Sequence, residues 1–430
     1  MRVTTIPLLA KSLVVGVLTG VVVSGYRWLL GTIEHGSSQA YAFIGQALGY
    51  LPLLVVGLAV LAVALGWLGK RYPLIGGSGI PAVVAIVQGR LRDTWVSTLV
   101  AKFVGGAGAM ASGLALGREG PCIQMGACIG DGMGRHFSKQ EPEKMMLIAG
   151  GASAGLSAAF GAPLAGTIFA FEEIFKKLDP LTLMATTLAA VASDYVTALL
   201  LGTEPIFDLT VPVALPLNAY WMLLVLGVAL GLIGASYNRL LVWLKGWYQR
   251  VSERWAIFRP IPVMLLAVPV GLCFPAALGS GQRALDSLLP TASLGFLALL
   301  LAVRFVFSIV SFSGSLPGGI LFPLLILGGI TGAITANVAI TWFGIDASGF
   351  DGFIIVAMAG CFAAIVRAPI TGIVLLLEMT GSFVHLLPLT LVCITAYITA
   401  ELLHTQPVYT ALLEADFPTP ATPGSDAAVQ

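Results

Sequence analysis

Runs of about twenty apolar residues, the length a helix needs to cross the hydrocarbon core of a bilayer, recur from one end of this chain to the other. They cover 8–33, 50–68, 180–202, 217–244, 292–313 and 383–403. A helix that is apolar on every side has no face for water, so it must sit either in a large core or in a membrane. Composition decides between the two. Hydrophobic residues make up 57% of the 430 and charged residues 10%, where a water-soluble domain carries roughly a quarter charged residues. The expected fold class is an all-α polytopic membrane protein, with membrane lipid around it. A net charge of +1 without any basic cluster gives no reason to expect nucleic acid.

The start, MRVTTIPLLAKSLVVGVLTG, has a weakly charged beginning and no small-residue cleavage site, so it reads as a retained first helix rather than a signal peptide. Cys122, Cys128, Cys273, Cys361 and Cys393 all lie in apolar surroundings without metal-like spacing. Buried free thiols are expected there, with no metal and no cofactor.

Some apolar segments are too short to span, such as 81–89 before Arg90 and 163–171 before Glu172. Short hydrophobic segments broken by Gly and Pro mark discontinuous helices, which are tolerated only around a protein-enclosed cavity. The 51 glycines favour close packing and bends over a plain lipid-facing bundle. Residues 162–172, APLAGTIFAFE, return as APITGIVLLLE at 368–378, with Ala-Pro, Gly and the final Glu all at one offset. Two transmembrane halves are expected, 1–202 and 217–414, joined by a linker at 203–216. Such repeats place a substrate at their interface near the bilayer midplane. The Pro/Thr/Ala-rich tail 415–430 reads as disordered and is too short for a regulatory domain.

Residues 117–121 read GREGP, and between Lys102 and Asp131 the only charges are Arg118 and Glu119. A charge at mid-membrane depth costs about 2.5–3.5 kcal/mol even on the lenient insertion scale. Two look-alikes, GSGIP at 77–81 and GILFP at 319–323, share the Gly-x-x-x-Pro frame. Proline in the first turn starts a helix without needing a donor, and glycine lets the backbone bend or come close to a ligand. The amides at such a start can donate to an anion, and the helix dipole favours negative charge there. The bare frame means little, since with 51 Gly and 24 Pro about three matches are expected by chance, and five occur. GKRYP at 69–73 and GLCFP at 271–275 are the decoys. The hydroxyl in GSGIP, the carboxylate in GREGP and the paired glycines of PGGILFP carry the signal.

Those contents, in this order, resemble the CLC family of chloride channels and chloride/proton antiporters. The AGAPL-like segment before Glu172 and Glu173, PGG at 317–319 and PVY at 407–409 fall in family order, and the resemblance runs from about residue 8 to 414. It implies two inverted halves of tilted, broken helices, normally a homodimer with one pathway per subunit. Ser78 and Tyr409 would coordinate a central anion through their hydroxyls, with the backbone amides of Ile320 and Leu321 completing the site. Glu119 would be an external gate, seated in an anion position when charged and out of it when protonated. Glu173 would be the internal proton-transfer carboxylate of the family's antiporters. The family usually has phenylalanine where Leu321 stands, which puts an aromatic wall beside the ion in doubt. Its nitrate-preferring members carry proline at the position of Ser78, so chloride is the expected anion.

Other readings stand beside these. Glu119 could be a buried acid paired with Arg118 or Lys102, although adjacent residues of a helix do not face each other. Ser78 could be a helix cap, and Tyr409 an interfacial anchor. Glu172 reads as an ordinary membrane boundary. Lys102 and Arg118 could raise anion occupancy or neutralise buried acids. Arg27, Arg304 and Arg367 have no distinguishing context. His35, His136, His385 and His404 are scattered and no HExxH occurs, which argues against a membrane-embedded metalloprotease. The expectation is not an enzyme but a chloride/proton antiporter in a prokaryotic plasma membrane. A passive chloride channel of the same fold is the alternative, and a fluoride/proton antiporter a lesser one.

Overall fold

Each long apolar run becomes a helix. The structure, a computed structural model, describes residues 5–177, 179–203, 215–250 and 253–418. The first half of the chain contains α1 (Thr5–Gln46), α2 (Leu51–Arg71), α3 (Ile80–Val87) and α4 (Trp95–Ala111). Next come α5 (Glu119–Phe137), α6 (Glu141–Phe160), α7 (Pro163–Phe169) and α8 (Pro180–Leu201). Beyond the undescribed 204–214 lie α9 (Tyr220–Gln249), α10 (Pro260–Cys273), α11 (Gln282–Asp286), α12 (Leu294–Ser313) and α13 (Leu321–Phe343). The last four are α14 (Phe350–Val366), α15 (Pro369–Thr380), α16 (Leu386–Leu402) and α17 (Val408–Asp416).

Among the described residues, eight helical stretches are long and apolar enough to cross a membrane. They are not equivalent. The stretch Ala347–Val366 is 94% buried inside the protein and Leu48–Arg71 only 22%, so the former is core and the latter faces lipid. By contrast α3, with 8 residues, reaches only about 12 Å, less than half the hydrocarbon thickness of about 30 Å. It starts inside the protein, at Gly79 and Pro81, and ends at exposed Gln88, Gly89 and Arg90. Proline lies in the first turn of α2, α3, α6, α7, α8, α10 and α15, where its missing N–H goes unnoticed.

Small residues set how closely the helices approach. A Cβ on Gly126 would strike the carbonyl of Gly151, and one on Gly151 would strike that of Gly126, so α5 and α6 are pressed backbone to backbone. That contact fixes the direction in which α5 presents its first residue, Glu119.

The repeat noted in the sequence is a reciprocal contact in space. The Glu378 carboxylate, near the end of α15, accepts from the amides of Leu164 (2.9 Å) and Ala165 (2.7 Å) at the start of α7. The Glu172 carboxylate, just past α7, accepts from the amides of Ile370 (3.2 Å) and Thr371 (2.7 Å) and from the Thr371 hydroxyl (2.6 Å) at the start of α15. Each repeat helix is capped by the acid of the other, as in two halves related by a pseudo-two-fold axis. Glu172 is thus no ordinary boundary residue. It satisfies donors that the proline-started helix cannot satisfy itself.

Two further expectations change. Cys273 is exposed, because it ends α10 on an outward face, while the other four cysteines are buried and all five are free. The helix α17 extends to Asp416, whose carboxylate accepts from Lys245 at 2.5 Å, so Ala415 and Asp416 belong to the fold and not to a tail. Phe417 also bonds back to the Leu413 carbonyl, while 419–430 of the expected tail and most of the expected linker, 204–214, lie outside the described residues.

Five basic residues, Lys11, Arg135, Lys144, Lys176 and Lys177, share one face. Lys11 of α1 reaches the Phe137 carbonyl and Glu143 at the junction of α5 and α6, close to Arg135 and Lys144. Gly16, Gly20 and Ser24 of α1 pack on Ala189, Ser193 and Thr197 of α8, so α1 and α8 run parallel and Lys176 and Lys177, just before α8, share the face of Lys11. An excess of Lys and Arg marks the cytoplasmic side. The far end of α1, with Glu34 and His35, therefore points outward.

Candidate functional site

Three broken-helix starts meet at one point. The Gly117 amide donates to the Gly319 carbonyl (2.7 Å) and the Gly319 amide to the Gly117 carbonyl (2.6 Å), an isolated antiparallel bridge between the lead-ins of α5 and α13. The Gly318 amide donates to the Gly77 carbonyl at 3.0 Å, joining the lead-in of α3. Gly77 and Gly79 adopt φ of +60° and +82°, which a side chain would strain. Gly120 lies so close to Ser78 that a Cβ would meet its carbonyl oxygen at 2.6 Å. The GSGIP, GREGP and PGGILFP motifs thus form one constellation.

Lys102 is completely buried, and its ammonium donates to the carbonyls of Ile75 and Gly77, both at 2.7 Å. Among the described residues it forms no ion pair. Its contacts are those of a clamp on the Ser78 loop.

Glu119 is fully buried, with Oε2 accepting from the Phe322 amide at 3.4 Å. Oε1 has no hydrogen-bond partner among the described residues. A helix N-terminus contributes at most about 2 kcal/mol to an anion, while stripping water from a carboxylate costs several. The ionised side chain is therefore held loosely, by backbone amides at the starts of α5 and α13, of which the Phe322 contact is long. On its outward side lies a cavity of about 560 Å³, reached past Arg118, Phe322, Glu34 and Arg283. Arg118 forms no ion pair with Glu119; it lines the mouth instead.

Ser78 and Tyr409 are both 1% exposed. The Ser78 hydroxyl accepts from the Ile80 amide at 3.3 Å. Tyr409 opens α17, which packs against α3, and its buried hydroxyl has no partner among the described residues. Tyr409 is within electrostatic range of both Glu119 and Glu173. The first amides of a helix have no intrahelical acceptor, and those of Ile320 and Leu321 begin α13 beside this group. Leu321 is buried where an aromatic ring was in question, and Phe322 lies one residue later, on the cavity side of Glu119. The aromatic ring beside Glu119 is that of Phe322, which lines the cavity.

Glu173 is 4% exposed and sits in a π-helical turn, Ala170–Phe175, that continues α7. Such turns are uncommon and concentrate at functional sites. Here the turn separates two consecutive acids. Glu172 faces α15, and Glu173 faces into the protein, on the side of the basic surface.

Residues 59–401 match the family model described as "Voltage gated chloride channel". The chain belongs to the voltage-gated chloride channel family. An H(+)/Cl(-) exchange transporter ClcA of Klebsiella pneumoniae is 33% identical over 426 residues, covering 96% of this chain and 89% of that one. The ClcA of Salmonella typhimurium is 32% identical over 427 residues, with 95% and 89% covered. Among solved structures, a slow cyanobacterial Cl-/H+ antiporter superposes with a TM-score of 0.89 at 29% identity, covering 96% of this chain and 99% of that one. A CLC-type fluoride/proton antiporter shares the fold, with a TM-score of 0.78 at 24% identity and 95% and 99% covered. This voltage-gated chloride channel family member is an integral membrane protein.

Two features of this family member escaped the sequence reading. Arg304, which had no distinguishing context, is fully buried and donates to the carbonyls of Ala277 (2.8 Å), Gly279 (2.9 Å) and Ser280 (2.7 Å). Tyr26, also fully buried, is within electrostatic range of Glu119. The signal for Arg304 was present: GSG at 279–281 repeats GSG at 77–79, at the same spacing that separates Arg304 from Lys102.

Proposed function

We propose that the protein exchanges chloride for protons across a prokaryotic plasma membrane. The observation that carries this reading is the position of Glu119. It is a buried, loosely held carboxylate on amides of two helix starts, with a solvent cavity outward and two buried hydroxyls close by. In this reading Ser78, Tyr409 and the amides of Ile320 and Leu321 hold a dehydrated chloride. Hydroxyl and amide donors suit a halide because they supply partial positive charge without a fixed cation that would trap it. Ionised Glu119 occupies the neighbouring anion position. Protonated, it has no reason to stay on those amides, and a chloride takes its place.

A proton must leave by another route. Glu173 lies toward the basic face and serves as the inner acceptor, with Tyr409 between it and Glu119. Similarity to the ClcA exchange transporters and to the cyanobacterial Cl-/H+ antiporter supports exchange over passive conduction. The halves 1–202 and 217–414 each contribute helix starts to the site, joined through 203–216. Two copies form a homodimer in the lipid, each with its own pathway and no enzymatic chemistry.

The test uses purified protein in sealed vesicles. An outward chloride gradient is expected to drive protons inward against their own gradient, and the reversal potential is expected to shift with pH. Chloride flux whose reversal potential ignores pH would replace this reading with a passive channel.

A further inference from the structure

The loop that carries Ser78 is built twice. Gly279-Ser280-Gly281 repeats Gly77-Ser78-Gly79, and Gly279 and Gly281 also take positive φ, +68° and +125°. Arg304 clamps the second loop through the carbonyls of Ala277 and Gly279, as Lys102 clamps the first through those of Ile75 and Gly77. The inverted arrangement puts the second loop at the wall of the outer cavity, with Arg118, Glu119 and Arg283. The two loops differ in what their serines hold. The Ser280 amide and hydroxyl both donate to Glu34 Oε1, at 2.9 and 2.8 Å, and the hydroxyl also reaches Oε2 at 3.1 Å. An anionic group from α1 is seated on the second loop, much as Glu119 is seated on the amides of α13.

We propose that the Gly279–Gly281 loop is an outer seat for a small anion of halide size, held in this structure by the Glu34 carboxylate. The donors that grip the carboxylate, one amide and one hydroxyl, are those a halide takes at a backbone site. The Arg304 guanidinium bonds the Ser280 carbonyl from behind at 2.7 Å, so a cation stands under the loop without touching the anion. Arg283 lines the same cavity and adds a second positive charge. An incoming halide and Glu34 exchange on this seat, which then serves as a staging point between solution and Glu119. The staging role rests on the exchange reading above; the capacity to bind a halide does not.

The experiment is bromide anomalous diffraction on crystals of the wild type, Glu34→Ala and Glu34→Gln. Both variants are expected to show a peak within hydrogen-bond distance of the Ser280 amide, strongest in Glu34→Ala, and the wild type a weaker one or none. Adding Ser280→Ala to Glu34→Ala is expected to reduce that peak. Chloride titration by calorimetry in detergent supplies a second readout, in which Glu34→Ala binds one more anion per chain than wild type. A peak at Ser78 without one at Ser280 in either Glu34 variant, together with unchanged stoichiometry, overturns the outer seat alone. A peak at Ser280 with none at Ser78 supports it and defeats the exchange reading. Peaks at neither defeat both.

Discussion

Replacing Glu119 with alanine is expected to end proton movement while chloride continues to cross. Alanine can neither occupy the anion position on the ends of α5 and α13 nor carry a proton. Backbone donors do not depend on the side chain, so the amide of Phe322, which now meets Glu119 Oε2 at 3.4 Å, becomes available to a halide. Proton uptake into vesicles should fall to the leak of protein-free vesicles, with chloride efflux persisting. Folding should survive, because Glu119 forms no salt bridge among the described residues and alanine is a good helix former. Chloride-driven proton uptake retained by the variant would remove Glu119 from the proton route.

Glu173→Gln is expected to have a proton defect of the same size for a different reason. Glutamine keeps the shape and the hydrogen-bonding capacity of the side chain but cannot exchange a proton. Glu173 is absent from the lining of the outer cavity, and the substitution leaves the Ser78 and Tyr409 hydroxyls and the α13 amides in place. Glu172 cannot stand in for it. Its two carboxylate oxygens are engaged with the start of α15, and the π-helical turn points the two acids apart. Proton movement should vanish with chloride flux still present, and the reversal potential should lose its pH dependence. A Glu173→Gln protein that still pumps protons would move the inner acceptor elsewhere.

Much of this arrangement was legible in the sequence because it is local. Apolar runs gave the long helices, and Gly/Pro punctuation gave short α3 and interrupted α7. The three Gly-x-x-x-Pro contents pointed to the helix starts that converge at Ser78, Glu119 and Gly319. What stayed hidden depends on partners outside the local motif, 198 or 199 residues away for Glu172 and 24 to 27 for Arg304 and Lys102. Glu172 looks like a boundary acid until the start of α15 is placed against it. Arg304 looks like a stray cation until its carbonyl acceptors are seen, and Lys102, read as a source of field or a neutraliser of buried acids, proves to bond two carbonyls instead. The Leu321-Phe322 pair shows a finer limit. The family resemblance implied a phenylalanine displaced by one residue, but only the structure shows the Phe322 ring lining the cavity beside the carboxylate. Cys273 escaped for a related reason, since an apolar neighbourhood in sequence is the same whether a helix end faces protein or lipid.

The central physical claim is that these helix starts and two hydroxyls form a seat for a bare halide, with a protein carboxylate competing for the adjoining position. Bromide anomalous diffraction on wild-type and Glu119→Gln crystals tests it most directly. Both crystals should show a peak among the Ser78 hydroxyl, the Tyr409 hydroxyl and the amides of Ile320 and Leu321. Glu119→Gln alone should add a second peak near the Phe322 amide. Bromide absent from the Ser78–Tyr409 position in both crystals, or a Glu119 side chain directed to lipid, would contradict the account.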